Sequence, residues 1–90
     1  MKTYEFLVSG LVQGVGYRAF VRENALKKAF KGYVKNLPDG RVKAVANIDN
    51  EENFKEFLDI LKTGSFSSKV ENIEFKEIPF MEFNSFEIRY

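Results

Sequence analysis

The stretch YVKNLPDGRVKAVANI, residues 33–48, decides the fold. Its Pro-Asp-Gly triplet at 38–40 is typical of a tight hairpin connection, in which glycine supplies the positive φ that such turns commonly need. After the turn, polar residues alternate with an apolar set, Val42, Ala44, Ala46 and Ile48, although Val45 breaks the alternation. The stretch therefore predicts two antiparallel strands, the first over residues 33–37 and the second from residue 42 onward.

A strand, a loop and a helix are predicted before this hairpin. In residues 4–9 the apolar Tyr4, Phe6 and Val8 alternate with Glu5, Leu7 and Ser9, which predicts a first strand with one strongly apolar face that ends at Gly10. Glycines follow at positions 14 and 16, in a segment that predicts a loop. Residues 18–28 then predict a helix with a narrow apolar stripe.

A second helix and two further strands are predicted after the hairpin. The clearest helical spacing in the chain is that of Phe54, Phe57, Leu58 and Leu61. Asp49 or Asn50 is suited to cap this helix, and strands are expected over residues 70–78 and 86–90. The order predicts an α+β fold, a ferredoxin-like β-α-β-β-α-β sandwich. Its antiparallel sheet would have two helices on one face and a short C-terminal strand.

The composition excludes several kinds of chemistry. A length of 90 residues predicts one domain over residues 1–90. The chain has no Cys and no His, which excludes disulfides, thiolate zinc sites and an imidazole base. A net charge of +1 argues against a general nucleic-acid binder. Because there is neither a signal-peptide pattern nor an apolar run of bilayer length, we expect a cytoplasmic protein that binds no membrane. A monomer is the simplest expectation, although no feature of the sequence indicates the oligomeric state.

The loop before the first helix predicts an anion site. Backbone N–H groups at a helix start lack intrahelical partners, and Gly14 and Gly16 let the chain curl inward without a Cβ clash. Arg18 can reach the same anion with a rigid, permanently charged fork. On spacing alone, a surface loop with turn glycines and a solvated arginine explains these residues equally well. The segment matches neither a P-loop nor a dinucleotide fingerprint.

Two segments resemble the signatures of a known family. GLVQGVGYR, residues 10–18, resembles the signature loop of the acylphosphatases. GYVKN, residues 32–36, followed by GRV, residues 40–42, resembles the second signature of that family. The two occur in the family's order and at its usual separation, and the resemblance extends over nearly the whole chain.

This resemblance implies the ferredoxin-like fold and the hydrolysis of a small-molecule acyl phosphate, without a metal or an organic cofactor. Arg18 matches the family's phosphate-binding arginine, and Asn36 matches the asparagine that orients the attacking water. The phosphate cradle is matched by the backbone of Gln13, Gly14, Val15, Gly16, Tyr17 and Arg18. On the residues alone, Asn36 is better explained as a strand-end residue that hydrogen-bonds its own turn.

Three residues depart from the family pattern. Leu11 replaces a polar residue that is usual at the mouth of the site, and Ala29 replaces a glycine that usually ends the first helix. Ala29 therefore predicts a strained or differently built helix end. Ile48 stands where the second signature ends in glycine, which indicates a longer third strand. None of the three is Arg18 or Asn36, so the implied chemistry is unaffected.

Two other functions fit parts of the sequence. An RNA-recognition module shares the predicted topology, but its central strands display aromatic residues, and residues 42–46 contain none. A non-catalytic, phosphate- or acyl-phosphate-binding regulatory module would use the same loop. Hydrogenase-maturation carbamoyltransferases contain such a domain at the start of a much longer chain. Turnover of an acyl phosphate separates the enzyme from the binding module.

Overall fold

Seven elements follow one another in the predicted order. The computed structural model describes all residues from Met1 to Tyr90. The elements are β1 (Lys2–Leu11), α1 (Tyr17–Lys27), β2 (Gly32–Asn36), β3 (Val42–Ile48), α2 (Glu51–Thr63), β4 (Lys69–Ile78) and β5 (Phe86–Arg89). The predicted α+β, ferredoxin-like fold is confirmed. Neither helix has the length and apolar character needed to cross a membrane.

The five strands form one sheet in the order β4-β1-β3-β2-β5. All neighbouring strands are antiparallel except β2 and β5, which run parallel, so the sheet is mixed rather than purely antiparallel. Val42 in β3 pairs with Val8 on one side and with Asn36 on the other. The carboxyl ends of β1 and β2 therefore lie at the same end of the sheet. The loop that follows β1 begins close to Asn36 for this reason.

The main core lies between the helices and one face of the sheet. Alternate residues of the strands, such as Phe6 and Val34, meet Val21 of α1 and Phe57 of α2, and all four are fully buried. The ring of Phe57 packs against that of Phe6, with centroids 5.1 Å apart. Successive side chains of a strand point to opposite faces of the sheet, so the alternating apolar residues of the predicted strands all lie on this one face.

A second, smaller cluster covers part of the opposite face of the sheet. Tyr33, Val45 and Phe83 are buried together there, with the rings of Tyr33 and Phe83 in edge-to-face contact. Nearby, the hydroxyl of Thr3 donates to Asn47 at 2.7 Å and accepts from the N–H of Met81 at 3.0 Å. The segment between β4 and β5 thus packs on this face, which is why an apolar Val45 interrupts the alternation of β3.

The first strand does not end at Gly10, so that prediction is wrong. β1 continues to Leu11, and the register with β4 shifts between Ser9 and Gly10. At this bulge a Cβ on residue 10 would collide with the backbone of Lys69. Gly10 therefore permits the close approach of β4, and the strand continues past it.

The end of α1 is built around Ala29, which adopts a left-handed φ of 61°. The Ala29 N–H donates to the carbonyl of Leu26 at 3.1 Å, and the Phe30 N–H donates to the carbonyl of Ala25 at 2.9 Å. These two bonds form the Schellman arrangement that usually has glycine at this position. The end of α1 therefore has the backbone geometry that usually contains glycine, and Ala29 adopts it with a strained φ angle.

Candidate active site

The loop between β1 and α1, residues 12–16, is called the glycine loop below. Gly14 and Gly16 have left-handed φ angles of 74° and 76°. A Cβ added at either position would meet no atom within 4 Å. Conformation rather than crowding therefore requires glycine at these positions.

The glycine loop presents unpaired backbone donors at the start of α1. None of the backbone hydrogen bonds is donated by residues 13–16, and no side chain accepts from them. Gly16 is the N-cap residue and provides no side-chain cap. Together with the positive end of the helix dipole, these N–H groups form a site suited to an anion.

Three side-chain hydrogen bonds fix the glycine loop. The Gln13 amide nitrogen donates to the carbonyls of Leu37 and Arg41, each at 2.9 Å. On the other side of the loop, the Ser65 hydroxyl donates to the carbonyl of Val15 at 2.8 Å. These bonds hold the main chain without using its free N–H groups.

Tyr17 anchors the first residue of α1 in the core. Its ring is buried, and its hydroxyl donates to the carbonyl of Leu61 near the end of α2 at 2.7 Å. Burial raises the pKa of the Tyr17 hydroxyl well above its ordinary value. The hydroxyl is therefore a protonated structural donor across the neutral range, and it takes no part in proton transfer there.

Arg18 is the second residue of α1 and is half-buried. Its guanidinium forms no ion pair with any carboxylate, and it lies 4.9 Å from the centroid of the Tyr90 ring. Tyr90 follows β5, which the parallel pairing with β2 places beside the helix layer. The charge of Arg18 is thus oriented by an aromatic face and left available to a ligand.

Asn36 is the last residue of β2, where it pairs with Val42. Its Oδ1 atom is buried and has no hydrogen-bond partner, and no other buried side-chain polar atom in the structure lacks one. A buried acceptor without a partner is costly and uncommon in folded proteins. No donor of the chain reaches this oxygen, and a water molecule can contact it only after a shift of the side chain, since almost none of its surface is accessible.

The family is shown by comparison with known proteins. Residues 4–88 match the family model named Acylphosphatase. The chain belongs to the acylphosphatase family. The match confirms the resemblance seen in the two signatures and the expectation of an enzyme of this class.

Individual proteins and solved structures are similar to this chain over nearly its full length. A Methanocella arvoryzae protein of that name is 46% identical over 89 residues, covering 99% of this chain and 100% of the relative. The crystal structure of acylphosphatase from Bacillus subtilis matches with a TM-score of 0.91 and 41% identity, covering 100% of both chains. The crystal structure of T. kodakarensis HypF matches with a TM-score of 0.84 and 35% identity, covering 100% of this chain and 12% of that one.

The sequence pattern does not indicate two parts of this candidate site. The Tyr90 ring reaches Arg18 only because β5 pairs parallel with β2, and no spacing in the sequence indicates that contact. The side chain of Gln13 was not assigned a role, since only its backbone matches the cradle. Its contact with the hairpin depends on the three-dimensional approach of two segments that are far apart in the chain.

Proposed function

We propose that this chain hydrolyses acyl phosphates to a carboxylate and inorganic phosphate, using Arg18 and the backbone of residues 13–18 to hold the phosphoryl group and Asn36 to orient the attacking water. Membership of the acylphosphatase family supports the reaction class. The observation that supports the residue roles best is the position of Asn36, a half-buried residue at the end of β2, at the same end of the sheet as the unpaired N–H groups of the glycine loop.

The phosphoryl group would bind in the glycine loop. Its oxygens accept hydrogen bonds from the free N–H groups of residues 13–16 and charge-assisted bonds from Arg18. No carboxylate of the chain forms an ion pair with Arg18. The bound phosphoryl group would therefore be the anionic partner of its guanidinium. Phosphoryl transfer is catalysed mainly by positioning and charge stabilisation, and this site offers both.

The attacking water would be held by Asn36. After a small turn of the Asn36 side chain toward the loop, one water hydrogen donates to Oδ1, so that a lone pair on the water oxygen points at phosphorus. The new bond forms between that oxygen and phosphorus, while the bond from phosphorus to the acyl oxygen breaks and its electron pair leaves with the carboxylate. A carboxylate is a weak base and departs without a strong general acid. An amide cannot act as a base near neutrality, so the water's proton passes to a phosphoryl oxygen or to solvent.

Kinetics of Asn36→Ala and Arg18→Ala on benzoyl phosphate test these roles. We expect Asn36→Ala to lower kcat on the order of 10²–10³-fold, as for loss of another orienting amide, with a smaller effect on phosphate affinity. Arg18→Ala should lose on the order of 10³-fold or more, by analogy with arginine fingers, and bind phosphate poorly. A phosphate monoester should be a much poorer substrate for the wild type, because its alkoxide leaving group is more basic.

Matched controls are available in the same chain. Arg22 lies one turn further along α1 and is exposed, and Asn84 is exposed in the segment before β5. Arg22→Ala and Asn84→Ala should retain full activity. Near-full kcat in Asn36→Ala would show that the water-positioning role is wrong. Phosphate binding without any hydrolysis in the wild type would instead favour the regulatory module. A domain of this fold does occur as part of a longer chain, since this chain matches 12% of HypF.

A further inference from the structure

The side chain of Gln13 joins the glycine loop to the β2–β3 hairpin. Its amide nitrogen donates to the carbonyls of Leu37 and Arg41, both at 2.9 Å, so both of its N–H bonds are used. The residue is half-buried, and it is the only glutamine in the chain. These are the only side-chain hydrogen bonds between the glycine loop and this hairpin.

The hairpin closes without help from Gln13. The Leu37 N–H donates to the Arg41 carbonyl at 2.8 Å, and the Gly40 N–H donates to the Leu37 carbonyl at 3.2 Å. Each of the two carbonyls that Gln13 contacts therefore already has a backbone donor, and a carbonyl oxygen has a second lone pair for the amide. Removing the amide leaves neither carbonyl unpaired, so its contribution to hairpin stability is small.

The two hydrogen bonds of the Gln13 amide, called the bridge below, connect the two parts of the proposed site. At one end, the backbone of Gln13 belongs to the loop proposed to hold the phosphoryl group. At the other end, Leu37 directly follows Asn36, whose Oδ1 is proposed to hold the water. The two amide bonds therefore constrain the separation between phosphorus and the attacking oxygen, a distance on which catalysis depends steeply.

We propose that the side-chain amide of Gln13 is a positioning residue, which sets Asn36 and its water against the bound phosphoryl group. The inference rests on the proposed function and adds a role for a side chain that touches neither the substrate nor the water. It predicts an effect on kcat that acts through Asn36, with little effect on the binding of inorganic phosphate.

Gln13→Met removes both donors while nearly preserving the size of the side chain. We expect kcat for benzoyl phosphate to fall on the order of 10- to 100-fold, as for a displaced catalytic geometry. The inhibition constant of inorganic phosphate should change by less than about threefold, because the loop N–H groups and Arg18 are retained. A cooperative thermal unfolding transition of the variant would establish that it is folded. Gln13→Glu, which turns two donors into acceptors facing two carbonyls, should lose at least as much kcat.

A double-mutant cycle with Asn36→Ala separates positioning from general loosening of the loop. In the Asn36→Ala background there is no oriented water left to misplace, so Gln13→Met should have little further effect on kcat. Ser65→Ala is the matched control, because it also removes one side-chain bond to the glycine loop but on the side away from the hairpin. Its effect should multiply with that of Asn36→Ala.

Selective labelling of the single glutamine provides a readout independent of activity. In the wild type its side-chain N–H pair should exchange slowly with solvent, since both hydrogens are bonded to carbonyls. Rapid exchange of both hydrogens would overturn the bridge itself.

The kinetic outcomes distinguish the two proposals. A kcat loss in Gln13→Met that multiplies with that of Asn36→Ala, or that is matched by weaker phosphate binding, overturns the positioning role alone. Unchanged kcat in Gln13→Met with a large loss in Asn36→Ala does the same. Full kcat in Asn36→Ala would overturn the water-positioning function, and the role of Gln13 with it.

Discussion

Replacing Ala29 with glycine should stabilise the protein, although it removes a methyl group. Ala29 is held at a φ of 61° by the two hydrogen bonds that end α1. The left-handed conformation costs a non-glycine residue roughly 1–2 kcal/mol. The side chain is exposed, so its loss removes no core packing. The greater freedom of glycine in the unfolded chain offsets about 0.4–1 kcal/mol of the gain, which leaves a net stabilisation of about 1 kcal/mol.

Chemical and thermal unfolding measure this effect directly. A gain of about 1 kcal/mol in a domain of this size corresponds to a rise in Tm of about 4–8 °C. Ala19 offers the matched control, because it is also exposed but lies inside α1 with helical neighbours on both sides. Ala19→Gly should lower the free energy of unfolding by about 0.5–1 kcal/mol. Equal destabilisation by both substitutions would refute the strain argument.

Three further predictions concern Tyr90, Tyr17 and Asn50. Tyr90→Leu removes the aromatic face under Arg18, which at an exposed site contributes about 0.5–1 kcal/mol, so inhibition assays should show phosphate binding about two- to fivefold weaker. Tyr17→Phe should cost about 1–2 kcal/mol in denaturant unfolding at pH 7. Because burial raises the pKa of Tyr17 in the folded state, this hydroxyl ionises at a lower pH in the unfolded chain than in the folded one. The free energy of unfolding of the wild type should therefore fall above about pH 10, and more steeply than that of Tyr17→Phe. Asn50→Ala removes the N-cap of α2 and should lower the free energy of unfolding by about 1 kcal/mol, measured in the same way.

Local signals in the sequence were sufficient for the order and type of the elements. The stripe that includes Phe57 and Leu61 predicted α2, and the structure buries these two side chains in the main core. Asn50 caps that helix by accepting from the backbone of Asn53 at 2.8 Å, as one of the two predicted caps. Such features depend on residues within a few positions of one another, so periodicity and capping chemistry reveal them.

Features that depend on distant segments were not predictable in this way. Val45 interrupts the alternation of β3 because Phe83, in the segment before β5, packs in the same cluster on the second face, and no local pattern indicates that contact. The parallel pairing of β5 places Tyr90 beside Arg18, and no local pattern specifies that register. The sequence around Gly10 predicts a strand end because a single sequence cannot distinguish a strand-ending glycine from one that accommodates a neighbouring strand.

The proposed site combines a fixed main chain with one available charge. Gln13 and Ser65 bond the glycine loop to the hairpin and to the segment after α2, and Tyr17 bonds the start of α1 to the other helix. None of these bonds uses the loop N–H groups, so the donors are held in place before any anion arrives. A preorganised site loses little conformational entropy on binding, which leaves more of the binding free energy for the transition state. In the proposed mechanism Arg18, which contacts only an aromatic ring, keeps its whole charge for the phosphoryl group, and a chain without histidine or cysteine needs no acid or base of its own.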